Sequence, residues 1–379
     1  VALFLIAGIA ALYWAVVDPT KIWLAVTSSL IVACPCSLLL SATFTFGNML
    51  RHFGKNKFYL KNSSVIESLA SINTIVFDKT GTLTHSSMAT VSYEGANLKN
   101  DDINTVFALT KESLHPFSRI INRDLINHYR IAKLPVKNFK ETTGKGIEGW
   151  VKNKYIRLGT KQFTEYNELK TETALTGMVY LSINGISKGV FKINNQYREG
   201  IQEMVHSLSD KKFQLHVLSG DNDAEKKNLE TIFGAKTKIR FRQSPQDKLD
   251  YINGLQKNDY DAVVLMLGDG LNDAGALKQS DVGIAVSENT SQFIPACDAI
   301  LDSSEVNKLN KFIDYARSGK KVITWSFILS ILYNIVGLSF AVQGLLSPLI
   351  AAILMPVSSI TIVSFVTLAT TYSAKRKGL

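Results

Sequence analysis

The chain has 379 residues, of which 46% are hydrophobic and 20% charged, with a formal net charge of +10. That length and apolar content exclude a small stapled fold and leave room for two or three domains. Only three cysteines occur, Cys34, Cys36 and Cys297, which argues against a disulfide framework and fits a reducing compartment. No basic stripe interleaved with aromatics stands out, so the excess positive charge does not mark a nucleic-acid surface and no nucleic-acid partner is expected.

Taken in chain order, the apolar runs come first and last. Residues 1–17, 22–50, 322–342 and 350–372 are nearly free of charge, and each is long enough, or nearly so, to cross a bilayer as a helix. The region between the two pairs is polar, with alternating strand and helix patterns that read as soluble α/β material. The expected architecture is hairpin, large insert, hairpin. Arg51, Lys55, Lys57, Lys61, Lys320, Lys321, Lys375, Arg376 and Lys377 flank the side that carries the insert, so that side is expected to be cytoplasmic. Membrane lipid is the first expected partner.

The second run contains Ala33-Cys34-Pro35-Cys36-Ser37. A proline inside a helix removes one hydrogen bond and frees a carbonyl, so the helix should unwind between two thiols. Thiolates at that depth are soft ligands suited to Cu(I) or Zn²⁺. A kink with two buried, inert cysteines is the plainer alternative.

In the insert, a strand over residues 74–77 delivers Asp78 at its carboxyl end, where open α/β sheets place their chemistry. Lys79-Thr80-Gly81-Thr82-Leu83-Thr84 follows. A carboxylate in a turn rich in hydroxyls is a candidate nucleophile, although the same residue types also make ordinary capped turns. His115-Pro116 and the run Gly144-Lys145-Gly146-Ile147-Glu148-Gly149 come next. Alternate glycines let backbone approach a flat ligand, and an imidazole can stack on one; a loop histidine and a glycine-rich hairpin are the bland reading. Further on, a strand over 214–218 leads to Ser219-Gly220-Asp221, Pro245 and Lys248 stand three residues apart, and a run over 262–267 leads to Gly268-Asp269-Gly270-Leu271-Asn272-Asp273-Ala274. Acids beside glycines at a strand end can offer hard oxygen ligands to Mg²⁺.

Together these strings resemble the signatures of P-type ATPases: DKTGTLT for phosphorylation, GDGxNDA, TGD with Ser219 in place of threonine, and PxxK. The spacing of CPC ahead of DKTGTLT, with the His-Pro pair and the alternate glycines, is similar to the heavy-metal branch. The resemblance implies an α/β fold with membrane helices. A Rossmann-like, haloacid dehalogenase-type phosphorylation domain spans 58–85 and 194–315, an α+β nucleotide-binding domain is inserted at 86–193, and transmembrane hairpins lie at 1–57 and 316–379. It implies ATP as substrate and Mg²⁺ as cofactor. Asp78 becomes the phosphorylated residue, with Lys79, Thr80, Ser219, Gly220, Asp221 and Lys248 around it. His115, Gly144 and Gly146 contact nucleotide. Asp78, Thr80 and Asp269 hold Mg²⁺, with Asp273 near it. Phosphatases on this fold resemble DxD, whereas Thr80 takes the place of the second acid, so the aspartyl phosphate should persist.

Tyr333-Asn334, Met355 and Ser358-Ser359 resemble the YN and MxxSS patterns of the copper subgroup, which adds Tyr333, Asn334, Met355 and Ser359 to Cys34 and Cys36 as ligands of a transported Cu(I). A thioether suits that ion, and no Asp, Glu or Lys stands in the last two runs after Lys321. The implied activity is Cu(I) export, with a zinc or cadmium pump, or a membrane-tethered phosphatase, as alternatives. Residues 113–118 and 41–46 hint at the branch tied to haem-copper oxidase assembly. The resemblance further implies a copper chaperone as metal donor, a bacterial inner or plasma membrane, and a preceding actuator and metal-binding portion without which the chain would not turn over. It departs from the pattern at Leu114, where the family has Glu, and at Asn194, where an acid is usual ahead of Arg198. Cys297 reads as packing.

Overall fold

The computed structural model describes residues 2–34, 36–85, 90–113, 115–142, 144–165, 177–194, 196–221, 223–234, 236–270, 273–288 and 297–379. Pro35, Leu114, Asn272, Pro295 and Ala296, and the side chains of Cys36, Pro116 and Asn194, therefore lie outside the described residues.

The chain opens with helices α1 (Ala2–Val17), α2 (Ile22–Val32) and α3 (Cys36–Lys55), then strand β1 (Phe58–Leu60), α4 (Ser64–Ser71) and β2 (Thr74–Asp78). There follow β3 (Thr90–Gly95), α5 (Asn100–Lys111), α6 (Pro116–His128), β4 (Val136–Thr142), β5 (Gly146–Val151), β6 (Lys154–Gly159), β7 (Gly177–Ile183) and β8 (Ile186–Asn194). The chain then runs through α7 (Ile201–Asp210), β9 (Gln214–Leu218), α8 (Lys226–Phe233), β10 (Lys238–Arg240), α9 (Pro245–Asn258), β11 (Val264–Gly268), α10 (Ala274–Gln279), β12 (Val282–Ser287) and β13 (Ala299–Asp302). It closes with the long helices α11 (Leu309–Val342) and α12 (Pro348–Lys377).

Two compact units emerge, one comprising 1–75, 249–266 and 270–379, the other 76–248 and 267–269. A seven-stranded sheet in the order β1-β13-β12-β11-β2-β9-β10 is shared by this division. The cut passes along β2 and β11. Both strands are buried throughout, which explains their unbroken apolar sequences: a strand covered on both faces has no polar side to alternate with. β9 and β10 pair in parallel, as do β12 and β13, while β1 closes the edge antiparallel to β13.

The second unit also holds a six-stranded antiparallel sheet, β3-β8-β7-β6-β5-β4. Its core joins Val106, Phe107 and Leu109 of α5 and Ile121 and Leu125 of α6 to Ile147, Ile156, Leu158, Leu181 and Phe191 of the strands. The alternation of apolar residues along β6 and β7 is the period expected of strands covered on one face.

In the first unit, three helical stretches are long and apolar enough to cross a membrane: Pro19–Lys55, Ser303–Val342 and Pro348–Lys377. Four were expected. The first helix, α1, has 16 residues, a rise of about 24 Å against a hydrocarbon core of about 30 Å. The second stretch is not one helix: α2 ends at Val32 and α3 begins at Cys36, so Cys34 sits in a break, where the proline was expected to unwind it. α11 starts well before the predicted 322, because its first turns bury Leu309, Phe312, Ile313, Tyr315 and Ala316 outside the apolar run. The strand expected over 262–267 is shifted to Val264–Gly268.

Candidate functional site

Strand β2 carries Asp78 as its last residue, 3% exposed. Thr80 is extended and Gly81 has φ +79°, ψ −15°, the two central conformations of a type II turn, which needs glycine at the second. Arg198, buried, holds this loop from below: Nε donates to the Thr82 carbonyl (2.9 Å) and Nη2 to the Gly81 carbonyl (3.0 Å). The loop cannot relax away from the end of β2 without stranding that guanidinium.

Lys248, near the start of α9, donates Nζ to Asp78 Oδ1 at 2.6 Å, and both side chains are almost wholly buried. Their pairing offsets the cost of burying a carboxylate and an ammonium in this setting. Ser219 follows β9; its hydroxyl accepts from Asp221 N (3.1 Å) and its amide donates to the Arg240 carbonyl (2.9 Å). Asp221 Oδ2 accepts from Thr80 Oγ1 (3.1 Å) and lies 2.6 Å from Lys79 Nζ. Thus Asp78 with Lys248, and Thr80 and Lys79 with Asp221, are brought together. Burial works against the Lys79 ammonium, but the charges and hydrogen bonds of Asp221 and Glu225 outweigh it and hold the pKa above the usual lysine value.

Two participants were not foreseen. Glu225 Oε2 accepts from Lys79 Nζ at 3.0 Å and from the Tyr197 hydroxyl at 3.2 Å. Thr82 Oγ1 is fully buried and has no hydrogen-bond partner among the described residues.

Asp269 follows β11, the neighbour of β2 in the sheet. Asp78 and Asp269 thus stand at the carboxyl ends of adjacent strands, and two carboxylates are the hard oxygen ligands that Mg²⁺ takes together with phosphate and water. Among the described residues no group of three or more His, Cys, Asp or Glu could hold a metal ion. Asp273, in the first unit, is 1% exposed and stands at the N-cap of α10.

His115 caps α6: its Nδ1 accepts from Phe117 N at 3.2 Å, which leaves Nε2 as the ring's donor. It lines a cavity of about 370 Å³ with Thr110, Phe117, Glu141, Gly144, Gly146 and Met178 among its walls. The glycines serve different ends. Gly144 has φ +72° and open space around it, whereas a Cβ on Gly146 would stand 2.2 Å from the Leu158 carbonyl oxygen. Gly146 thus answers to its cross-strand neighbour Gly159 and also lines the cavity.

In the first unit a cavity of about 10 Å³, room for roughly one water-sized sphere, is lined by Val32, Cys34, Ser37, Tyr333, Asn334, Gly337, Leu354, Met355, Ser358 and Ser359. Cys34, Tyr333, Asn334, Met355 and Ser359 therefore share one small space. Tyr333 donates its hydroxyl to the Leu354 carbonyl at 3.1 Å, and Ser37 is hydrogen-bonded to Ser330 across α3 and α11. Cys34 is disulfide-bonded in this structure, against the reduced state expected from the sequence, and soft-ligand chemistry requires the thiolate. Cys297 is buried and outside any disulfide.

A carboxylate at the end of a buried strand in a seven-stranded α/β sheet agrees with the class that the sequence match gives: residues 72–281 match the haloacid dehalogenase-like hydrolase family, and the chain belongs to it. Within that class its curated relatives are P-type ATPases. It is 28% identical over 378 residues to the copper-exporting P-type ATPase of Mycobacterium leprae (strain TN), covering 95% of this chain and 47% of that protein. It is 27% identical to the enzyme of the same name from Staphylococcus haemolyticus (strain JCSC1435), covering 90% and 43%, and 28% identical to the cation-transporting P-type ATPase B of M. leprae, covering 95% and 49%. The chain spans about half the length of the curated relatives it matches. Among solved structures, a zinc-transporting PIB-type ATPase in the E2.Pi state superposes with a TM-score of 0.77 at 20% identity, covering 97% of this chain and 62% of that one, a likeness of fold. The catalytic domain of the CPx-ATPase CopB-B superposes with a TM-score of 0.55 at 27% identity, covering 70% and 97%.

Proposed function

We propose that the protein is the phosphorylated and ion-binding core of an ATP-driven pump that moves Cu(I) out of the cytoplasm. The observation that carries this reading is the buried pair of Asp78 and Lys248 at the end of β2, 2.6 Å apart, with Thr80 and no second acid in the turn beyond.

In this reading Asp78 attacks the γ-phosphorus of ATP bound in the cavity beside His115, and the bond to the β–γ bridging oxygen breaks, releasing ADP. Lys248 neutralises charge on the transferring group, and Arg198 keeps the turn at Gly81 in place to receive it. Mg²⁺, held by Asp78 and Asp269, would supply further charge neutralisation on the phosphates. Because Thr80 cannot act as a general acid or base, the acyl phosphate outlives its formation, as a pump requires and a phosphatase does not.

Copper is favoured by the thioether of Met355 in the same cavity as Cys34, and by the absence of a carboxylate among the lining residues. The names of two relatives point the same way. The insert, with its basic flanks, lies on the cytoplasmic side. The test is labelling of the protein from γ-labelled ATP under reducing conditions. Acid-stable, hydroxylamine-sensitive label that Cu(I) or Ag(I) stimulates and Asp78→Asn abolishes is expected. Label that persists in Asp78→Asn overturns the assignment of the nucleophile, and stimulation by Zn²⁺ alone overturns that of the metal.

A further inference from the structure

Lys79 stands beside the proposed nucleophile, yet its ammonium points to other partners. Its side chain is 2% exposed, and two carboxylates meet its Nζ: Asp221 at 2.6 Å and Glu225 at 3.0 Å. These two anions are placed differently. The Asp221 side chain is 39% exposed and also takes the Thr80 hydroxyl. The Glu225 side chain is 9% exposed, and the oxygen that receives Lys79 also receives the Tyr197 hydroxyl. A solvent-facing carboxylate can exchange partners at little cost, while a buried one fixed from two sides cannot.

We infer that Glu225 is a positioning residue: the fixed counter-ion of Lys79, it keeps that buried lysine paired so that Asp221 can leave it and turn, with Thr80, toward the phosphoryl group at Asp78. Without Glu225, Asp221 would be the sole anion for a buried ammonium and would be held there. Lys248 remains the cation that faces the nucleophile, and Lys79 is part of the floor. This inference rests on the proposed phosphorylation of Asp78.

Nothing about residue 225 suggests this in the sequence, since it lies four residues beyond Asp221 and 146 from Lys79. Asp221, from the turn after β9, faces the Lys79 ammonium, and Tyr197, from the segment ahead of α7, faces the Glu225 carboxylate. Burial alone would drive Lys79 toward the neutral form, and the two carboxylates oppose it.

The experiment compares the rate of ATP-dependent labelling of wild type, Glu225→Gln, Glu225→Asp and the double variant Lys79→Met/Glu225→Gln at one pH, with melting temperature followed in parallel. Glu225→Gln is expected to label about tenfold more slowly, because Asp221 is then held on the Lys79 ammonium. Glu225→Asp should restore the wild-type rate, and the double variant should recover much of the loss because no buried ammonium remains to hold Asp221. A wild-type rate for Glu225→Gln overturns the inference. So does a double variant as slow as Glu225→Gln, since the loss would then not arise from Lys79. Absence of label in the wild type would instead overturn the proposed function, a distinguishable result.

Discussion

The phosphate site and the membrane cavity solve opposite problems. Around Asp78, charge is abundant and is made tolerable by pairing: Asp78 with Lys248, Lys79 with Asp221 and Glu225. Around Cys34 the lining side chains are neutral hydroxyls, an amide, a thioether and apolar groups, in a space of about 10 Å³. Under the proposed function the first would select by where charge can develop and the second by size and softness. Damage to the first should therefore appear as lost rate, and damage to the second as lost affinity or fit.

The sharpest way to break that contrast is Lys248→Ala. It leaves a buried Asp78 carboxylate without its ammonium, and the labelling rate is expected to fall about 100-fold or more, with the metal concentration for half-stimulation unmoved. A comparable shift in metal dependence would mean that the two sites do not fail separately. Next is Met355→Ala, for which half-stimulation by Cu(I) should require about tenfold more metal while labelling at saturating metal stays near wild type. Smaller still is Gly337→Ala. Its new Cβ would lie 2.6 Å from Val32 Cγ1, and the overpacking should cost about 1–3 kcal/mol, seen as a lower melting temperature together with weaker metal stimulation.

The smallest effect at neutral pH concerns His216, buried in β9. Burial, with the charges of Lys238 and Arg240, pushes its pKa from 6.5 down to about 4. The neutral ring is the folded form, so its contribution is complete above pH 6.5 and is lost as the unfolded chain binds a proton that the fold refuses. Melting temperature should fall from pH 6.5 toward 4, by the equivalent of up to about 3 kcal/mol, and His216→Gln should flatten that slope.

What the sequence disclosed depended on whether the physics was local. Strands β2 and β9 could be placed almost to the residue, because a fully buried strand writes itself as an apolar run ending at a polar turn. The break near Cys34 was foreseen for the same kind of reason, since a proline acts on its own helix. Glu225, Tyr197 and the pairing of Ser37 with Ser330 were not, because each acquires meaning only from a partner more than twenty residues away. The close approach of Gly146 to the Leu158 carbonyl is likewise a contact no spacing rule could supply. α1 was counted as a span by its apolar composition, and it is an apolar helix of 16 residues.

One long element joins two places within the first unit. α11 runs 34 residues without interruption, about 51 Å at 1.5 Å per residue, some 20 Å more than a bilayer's hydrocarbon core. Near its start Arg317 donates to the carbonyls of Ala70 and Ile72 (3.3 and 2.9 Å). Tyr333 and Asn334, on the same rod, line the cavity. A single uninterrupted helix therefore both extends past the apolar layer to grip the end of α4 and furnishes part of the cavity's wall, so the two share one rigid support.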